Sequence, residues 1–242
     1  MRRPQLPLSD DFDRPLQFIA VEEDGYARGF CRIAGLDEVG RGPLAGPVVA
    51  AAVALPRGFS HPGIKDSKLL SAKQREEIAP VIRASAVGWA VGIVHVAEID
   101  RINILNASLR AMLKAVRALN PAPDYLLIDG REVIPPGWFR QMKTLNGSMP
   151  QQKTLIKGDQ LSLSIAAASI LAKVARDAIM MKLDKLYPEY GFAEHKGYAC
   201  ASHLKALRRL GPSPVHRRSF APVREAVPRK QAGDLGPLFC KR

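Results

Sequence analysis

Residues 33–55 read Ile33-Ala-Gly-Leu36-Asp37-Glu38-Val-Gly40-Arg41-Gly42-Pro43-Leu44-Ala45-Gly46-Pro47, then Val48-Val-Ala-Ala-Ala-Val-Ala-Leu55. The apolar start, residues 33–36, predicts a short buried strand, and the Val- and Ala-rich run 48–55 predicts a second. Two acids stand where the first strand ends. Neighbouring residues of a regular strand point to opposite faces, so Asp37 and Glu38 share one site only if the chain turns there; Gly40, Arg41 and Gly42 supply such a turn. The letters from Gly40 to Ala45 also match the Gly-x-Gly-x-x-Ala of a dinucleotide-binding turn. Context defeats that reading, because a helix should open at once and Pro43, Gly46, Pro47 and a second strand intervene.

The rest of the chain reads as α/β. A third strand is predicted at residues 87–94, and a Ser71-x-x-Gln74 capping box opens a helix that Pro80 should kink or end. Ile104, Leu105, Leu109, Met112, Leu113 and Val116 recur at helical spacing until Asn120-Pro121 stops them. Residues 125–128 form a continuous apolar run, as in a central strand covered on both faces, and end in Asp129-Gly130. A long helix is expected over 161–186 and a shorter one over 200–210, closed by Gly211-Pro212.

Two buried strands thus deliver carboxylates at their carboxyl ends, the edge of an open α/β sheet where sites form. The long helix adds a third contribution. Leu163, Ala167, Ile170 and Val174 make one apolar stripe whose next member is Asp177. Taken singly, each acid could be a turn residue or the partner of an arginine such as Arg176 or Arg41. Converging together, four carboxylates would raise one another's pKa unless a highly charged cation sat among them. Oxygen ligands without a His or Cys set favour Mg²⁺ or Mn²⁺ over zinc, and the arrangement suits two-metal phosphoryl chemistry.

Charge agrees with that substrate class. The chain of 242 residues has a net charge of +13, of which residues 196–242 carry +9, from eleven Lys and Arg against two Asp and Glu. Such a basic stretch attracts nucleic acid. No apolar run reaches the roughly 18 residues of a membrane helix and the start MRRPQLPLSDDF is no export signal, so a cytoplasmic protein without membrane contact is expected. Cys31, Cys200 and Cys240 are odd in number and widely spaced, which argues against a disulfide framework. His195, Cys200 and His203 only loosely resemble zinc ligands, and residues 147–154 miss the second glycine of a phosphate loop at Gln152.

The motifs resemble those of ribonuclease HII, the type 2 ribonuclease H family. Carrying the resemblance are the run from Asp37 to Val48, Asp66-Ser67-Lys68, Leu127-Ile128-Asp129-Gly130, Lys157-Gly158-Asp159, Ser169 to Asp177 with its Ala-Lys-Val-Ala-Arg-Asp, His195-Lys196-Gly197-Tyr198, and His216-Arg217-Arg218-Ser219-Phe220. They occur in the family's order. The resemblance implies a ribonuclease H-like mixed sheet flanked by helices, with a small helical carboxyl-terminal part. It implies an enzyme that cuts the RNA strand of RNA/DNA hybrids, and duplex DNA 5′ to single embedded ribonucleotides, with Mg²⁺ or Mn²⁺. By analogy Asp37, Glu38, Asp129 and Asp177 are the catalytic and metal-binding acids. Gly40, Arg41 and Gly42 would read the ribose 2′-OH, the one group that separates RNA from DNA, and Tyr198 would pack on the following sugar. Lys68, Lys173, Lys196 and Arg217 are expected phosphate contacts. A nucleic-acid-binding protein without catalysis is the alternative.

The domain expectation is a flexible extension over residues 1–28, a catalytic unit over 29–226 and a basic flexible tail over 227–242, in a monomer. The tail's Asp234-Leu-Gly-Pro-Leu238-Phe239 faintly resembles a peptide that docks a sliding clamp, although a mobile end with stray apolar residues is the simpler reading.

Overall fold

The computed structural model describes residues 14–140 and 149–226. Its five strands are β1 (Ile33–Val39), β2 (Val48–Ala54), β3 (Gly88–Val94), β4 (Tyr125–Asp129) and β5 (Gln151–Leu155), in the order β3-β2-β1-β4-β5. The first three pair antiparallel, while β4 and β5 join parallel to β1, so the sheet is mixed as expected. Helices α1 (Arg14–Ala27), α2 (Ala72–Ser85), α3 (Val96–Ile102), α4 (Ile104–Ala118) and α5 (Leu163–Leu186) surround it. The short helices α6 (Phe192–His195), α7 (Ala201–Leu210) and α8 (Ala221–Glu225) follow at the carboxyl-terminal side.

Small side chains let both faces of the sheet be covered closely. All of β2, Val-Val-Ala-Ala-Ala-Val-Ala, is buried. Ala50 and Ala52 pack with Ala107, Ala111 and Met112 of α4, while Ala51 and Val53 pack with Ala166, Ala167 and Ile170 of α5. At Gly35 the approach is closest, since a Cβ there would lie 2.2 Å from the Ile165 nitrogen of α5. Any side chain at that position would push the first turn of α5, the helix that carries Asp177, off the sheet.

Several expectations need correction. Of the two outcomes expected at Pro80, a kink or an end, the end does not occur: α2 runs through it to Ser85 behind the expected Ser71/Gln74 capping box. Pro80 and Glu76, whose carbonyl loses its helical partner, are both exposed, so no polar group is stranded in the core. Strand β5 has no apolar alternation to announce it; it is a half-exposed edge that pairs with β4 from Tyr125↔Gln151 to Asp129↔Leu155.

The amino-terminal stretch expected to be flexible contains α1. Glu22 on α1 is buried, and its carboxylate accepts hydrogen bonds from the Ser162 hydroxyl (2.7 Å) and from the Ser164 amide (3.0 Å) and hydroxyl (2.7 Å). A carboxylate on the Ser164 amide, in the first turn of α5, satisfies a donor that the helix itself cannot. Residues 1–13 and the tail 227–242 lie outside the described residues, so the flexible-end and clamp-peptide readings there have no structural counterpart. Among the described residues, no helix is long and apolar enough to cross a membrane.

Candidate active site

The acids gather where the parallel pair β1–β4 stops. The last register pair is Leu36↔Ile128, which leaves Asp37 and Asp129 side by side one residue further on. Alternation puts both on the α5 face, because Leu36 and Ile128 pack toward α4. The expected turn between Asp37 and Glu38 is absent. Strand β1 continues along β2 as far as Val39↔Val49, so the two side chains leave in opposite directions. They stay within each other's field because β4 no longer covers β1 at this level.

Asp37 is only 8% exposed. Burial, and then the charges of Glu38 and Asp129, hold its carboxyl well above the usual carboxylate range; the Ser169 hydroxyl and the Glu38 N–H, which donates to Asp37 Oδ1 at 2.7 Å, oppose this without overcoming it. Burial also raises Glu38, although Arg41 Nη1 donates to its Oε1 at 3.3 Å. Asp129 is fixed by the Gly158 amide at 2.7 Å.

Sequence reasoning missed two more acids at this edge. Asp159 is buried, and burial raises its pKa, with Asp66 and Asp129 acting in the same direction and Lys68 against them. Asp66 is buried as well, and its Oδ1 accepts from the Lys68 amide at 2.9 Å. The signals were the runs Asp66-Ser67-Lys68 and Lys157-Gly158-Asp159, which motif order singled out without a role. Lys68 Nζ stands 3.4 Å from Asp159. Burial works against its charge, but Asp159, Asp66 and Asp37 outweigh that and raise its pKa.

Asp177 is placed differently. The stripe on α5 behaves as read, with Leu163, Ala167 and Ile170 buried and Val174 packed against the same core. Asp177, however, is held by Lys173 Nζ at 2.7 Å, with Arg75 Nη2 at 4.0 Å. The structure thus places Asp37, Glu38 and Asp129 within one another's field and pairs Asp177 with cations. Among the described residues, no three His, Cys, Asp or Glu side chains are already arranged as a metal cage. The donor set nonetheless fits a hard dication. It is all oxygen, and Asp37 carries an unfavourable negative charge that a cation between it and its neighbours would relieve.

Beside the acids runs the loop 40–47. Gly40 (φ +96°) and Gly46 (φ +81°) occupy backbone positions that favour glycine. Gly42 is exposed and faces Tyr198, whose Cε1 lies 3.7 Å from where a Cβ on Gly42 would be. Tyr198 itself is 46% exposed. Thus the glycines and the tyrosine, more than 150 residues apart in sequence, line one surface. Lys196 bends back instead, with Nζ on the Ala193 carbonyl and 3.3 Å from Met181 Sδ.

Arg217 is a correction. Expected at a phosphate, it is fully buried, and its guanidinium is occupied by loop carbonyls. Burial, with Arg176 nearby, lowers its pKa to about 9. The His195/Cys200/His203 trio is also structural in its contacts. His195 stacks on His203 with centroids 4.4 Å apart, and His195 Nδ1 accepts from the Gly197 amide at 3.2 Å. His203 Nε2 lies 3.0 Å from His216 Nε2.

A family model described as Ribonuclease HII matches residues 34–223. A ribonuclease HII of Geobacter metallireducens is 54% identical over 224 residues, covering 92% of this chain and 99% of that protein. Among solved structures, ribonuclease H2 of Pyrococcus horikoshii OT3 aligns with TM-score 0.65 at 27% identity, covering 81% of this chain and 97% of that one. The PCNA:RNase HII complex of Archaeoglobus fulgidus aligns with TM-score 0.58 at 28% identity, covering 74% and 88%. Matched by the family model over residues 34–223 and by a 54% identical relative over 92% of its length, this protein belongs to the ribonuclease HII family and is a ribonuclease H hydrolase, an endonuclease of RNA/DNA.

Proposed function

We propose that this enzyme cuts duplex DNA 5′ to single embedded ribonucleotides as well as the RNA strand of hybrids, through two divalent ions, leaving 3′-hydroxyl and 5′-phosphate ends. The observation that carries the reading is Asp37, a buried carboxylate whose pKa is held up by burial and by the charges of Glu38 and Asp129. Asp37, Glu38, Asp129 and Asp177 are the residues that would hold Mg²⁺ or Mn²⁺. When bound, such an ion supplies Lewis acidity at the scissile phosphate and lowers the pKa of an attacking water.

The chain's own residues do the rest. The glycine loop reads the ribose 2′-OH, and Tyr198 packs on the sugar that follows. Asp177 can join the acids when Lys173 releases it, and a substrate phosphate is the natural new partner for that ammonium. Lys68 contacts a further phosphate, and Lys196 does so only once its ammonium leaves the Ala193 carbonyl. The catalytic unit is residues 29–226, with α1 attached to it through Glu22.

The test is a DNA duplex holding one ribonucleotide, incubated with Mg²⁺ or Mn²⁺ and its product ends mapped. Cleavage on the 5′ side with the stated ends is expected. Binding without cleavage would favour the non-catalytic alternative and end this reading.

The Archaeoglobus relative in complex with PCNA supports a clamp contact for this chain too; residues 234–239, which faintly resemble a clamp-docking peptide, are the candidate segment. Equal retention on a clamp column with and without residues 234–242 would remove it.

A further inference from the structure

Two fully buried arginines, neither bonded to a carboxylate among the described residues, sit beneath the loop 40–47. Arg217 donates to the carbonyls of Gly40 (2.6 Å), Arg41 (2.9 Å) and Gly46 (2.9 and 3.0 Å), joining both ends of the loop. Arg176, one residue before Asp177, donates to Ala45 (3.2 Å), Pro47 (3.0 Å) and Lys196 (3.0 Å), joining the loop to the segment that carries Tyr198. Gly40 owes its identity to this arrangement, since a Cβ there would lie 2.3 Å from Arg176 Nε.

The direction of those carbonyls matters. In a planar trans peptide the C=O and the following N–H point opposite ways. With the Gly40 and Arg41 carbonyls drawn inward onto Arg217, the amides of Arg41 and Gly42 turn outward, at two exposed residues. Successive outward amides form a concave donor site for an oxygen ligand. We propose that Arg217, backed by Arg176, is a positioning residue for substrate choice: it aims the Arg41 and Gly42 amides at the ribose of the cleaved nucleotide. This rests on the reading that residues 40–42 recognise the 2′-OH. Lysine keeps the charge but offers no planar fork, so it can hold only part of this set of carbonyls.

The test compares Arg217→Lys with wild type on a duplex holding one ribonucleotide and on a long RNA/DNA hybrid, with folding followed by circular dichroism. At the single ribonucleotide, where only one register presents a 2′-OH, kcat should fall about 10- to 100-fold while KM changes little. On the hybrid the loss should be clearly smaller. An equal loss on both substrates, or a loss that tracks the unfolded fraction, would overturn the proposal. Should Arg217→Lys not fold, Arg176→Lys takes its place with the same expectation, and failure of both to fold would assign the pair to stability alone. Wild-type enzyme that leaves the single ribonucleotide uncut would instead overturn the reading of residues 40–42.

Discussion

Two neighbouring regions of this protein bury charge in opposite ways. Under the loop 40–47, Arg176 and Arg217 are wholly buried, and each guanidinium is met by several main-chain carbonyls. At the sheet edge, Asp37 is buried among acids that raise its pKa. The first arrangement is internally satisfied and acts as architecture. The second keeps negative charge at Asp37 that its hydrogen bonds do not offset, and calls for something outside the chain. Burial alone therefore does not mark a binding group; the sign and nature of its neighbours do.

The sharpest break of this comparison is Asp37→Asn. Removing a charge from the unsatisfied cluster should cut turnover by about a thousandfold or more, since metal charge at the phosphate is worth several kcal/mol. It should also raise the melting temperature of the metal-free protein, because the ionised carboxylate is disfavoured there. Wild-type turnover, or a lower melting temperature, would misplace Asp37. The reverse is expected of the satisfied region. Arg176→Met leaves buried carbonyls of Ala45 and Pro47 without donors and should lower unfolding free energy by about 3 kcal/mol in urea titration.

A third experiment probes the wall behind the loop. Burial, with His203 beside it, lowers the His216 pKa to about 4. The folded state thus prefers neutral His216, so its contribution is complete above the unfolded value near 6.5 and is lost as pH falls from there toward 4. Up to about 3 kcal/mol should disappear over that window. Urea midpoints measured from pH 7 to 4 should show a shallower decline in His216→Asn; an unchanged decline would exclude this histidine.

The smallest effect separates an exposed cation from a buried one. Lys68→Ala should reduce the slope of log affinity against log salt by about 0.9 on a nucleic-acid duplex, the value for one lost phosphate contact. Arg217→Gln, which removes a cation already bound to carbonyls, should leave that slope unchanged. Equal slopes for both variants and wild type would deny Lys68 its phosphate.

Much of this was legible in order along the chain. The strands containing Ile33 to Leu36 and Tyr125 to Ile128 were readable because continuous apolar runs have few other uses. The stripe ending in Asp177 was readable because helical spacing is local, and the acids Asp37, Glu38, Asp129 and Asp177 came with it. What escaped had no local signature. Strand β5 is polar and is defined only by β4, and α1 is anchored by a carboxylate whose partners lie 140 residues away.

The sequence by itself determined which residues could do chemistry, because residue type and short-range periodicity are properties of neighbouring positions. Only the tertiary structure decided which charges remain available. Arg217 and Lys68 look alike as cations in a basic chain, yet one is surrounded by the carbonyls of a loop more than 170 residues distant and the other stands in solvent beside Asp159. That distinction depends on desolvation and on hydrogen-bond partners brought together by folding, neither of which is written in any single stretch of sequence.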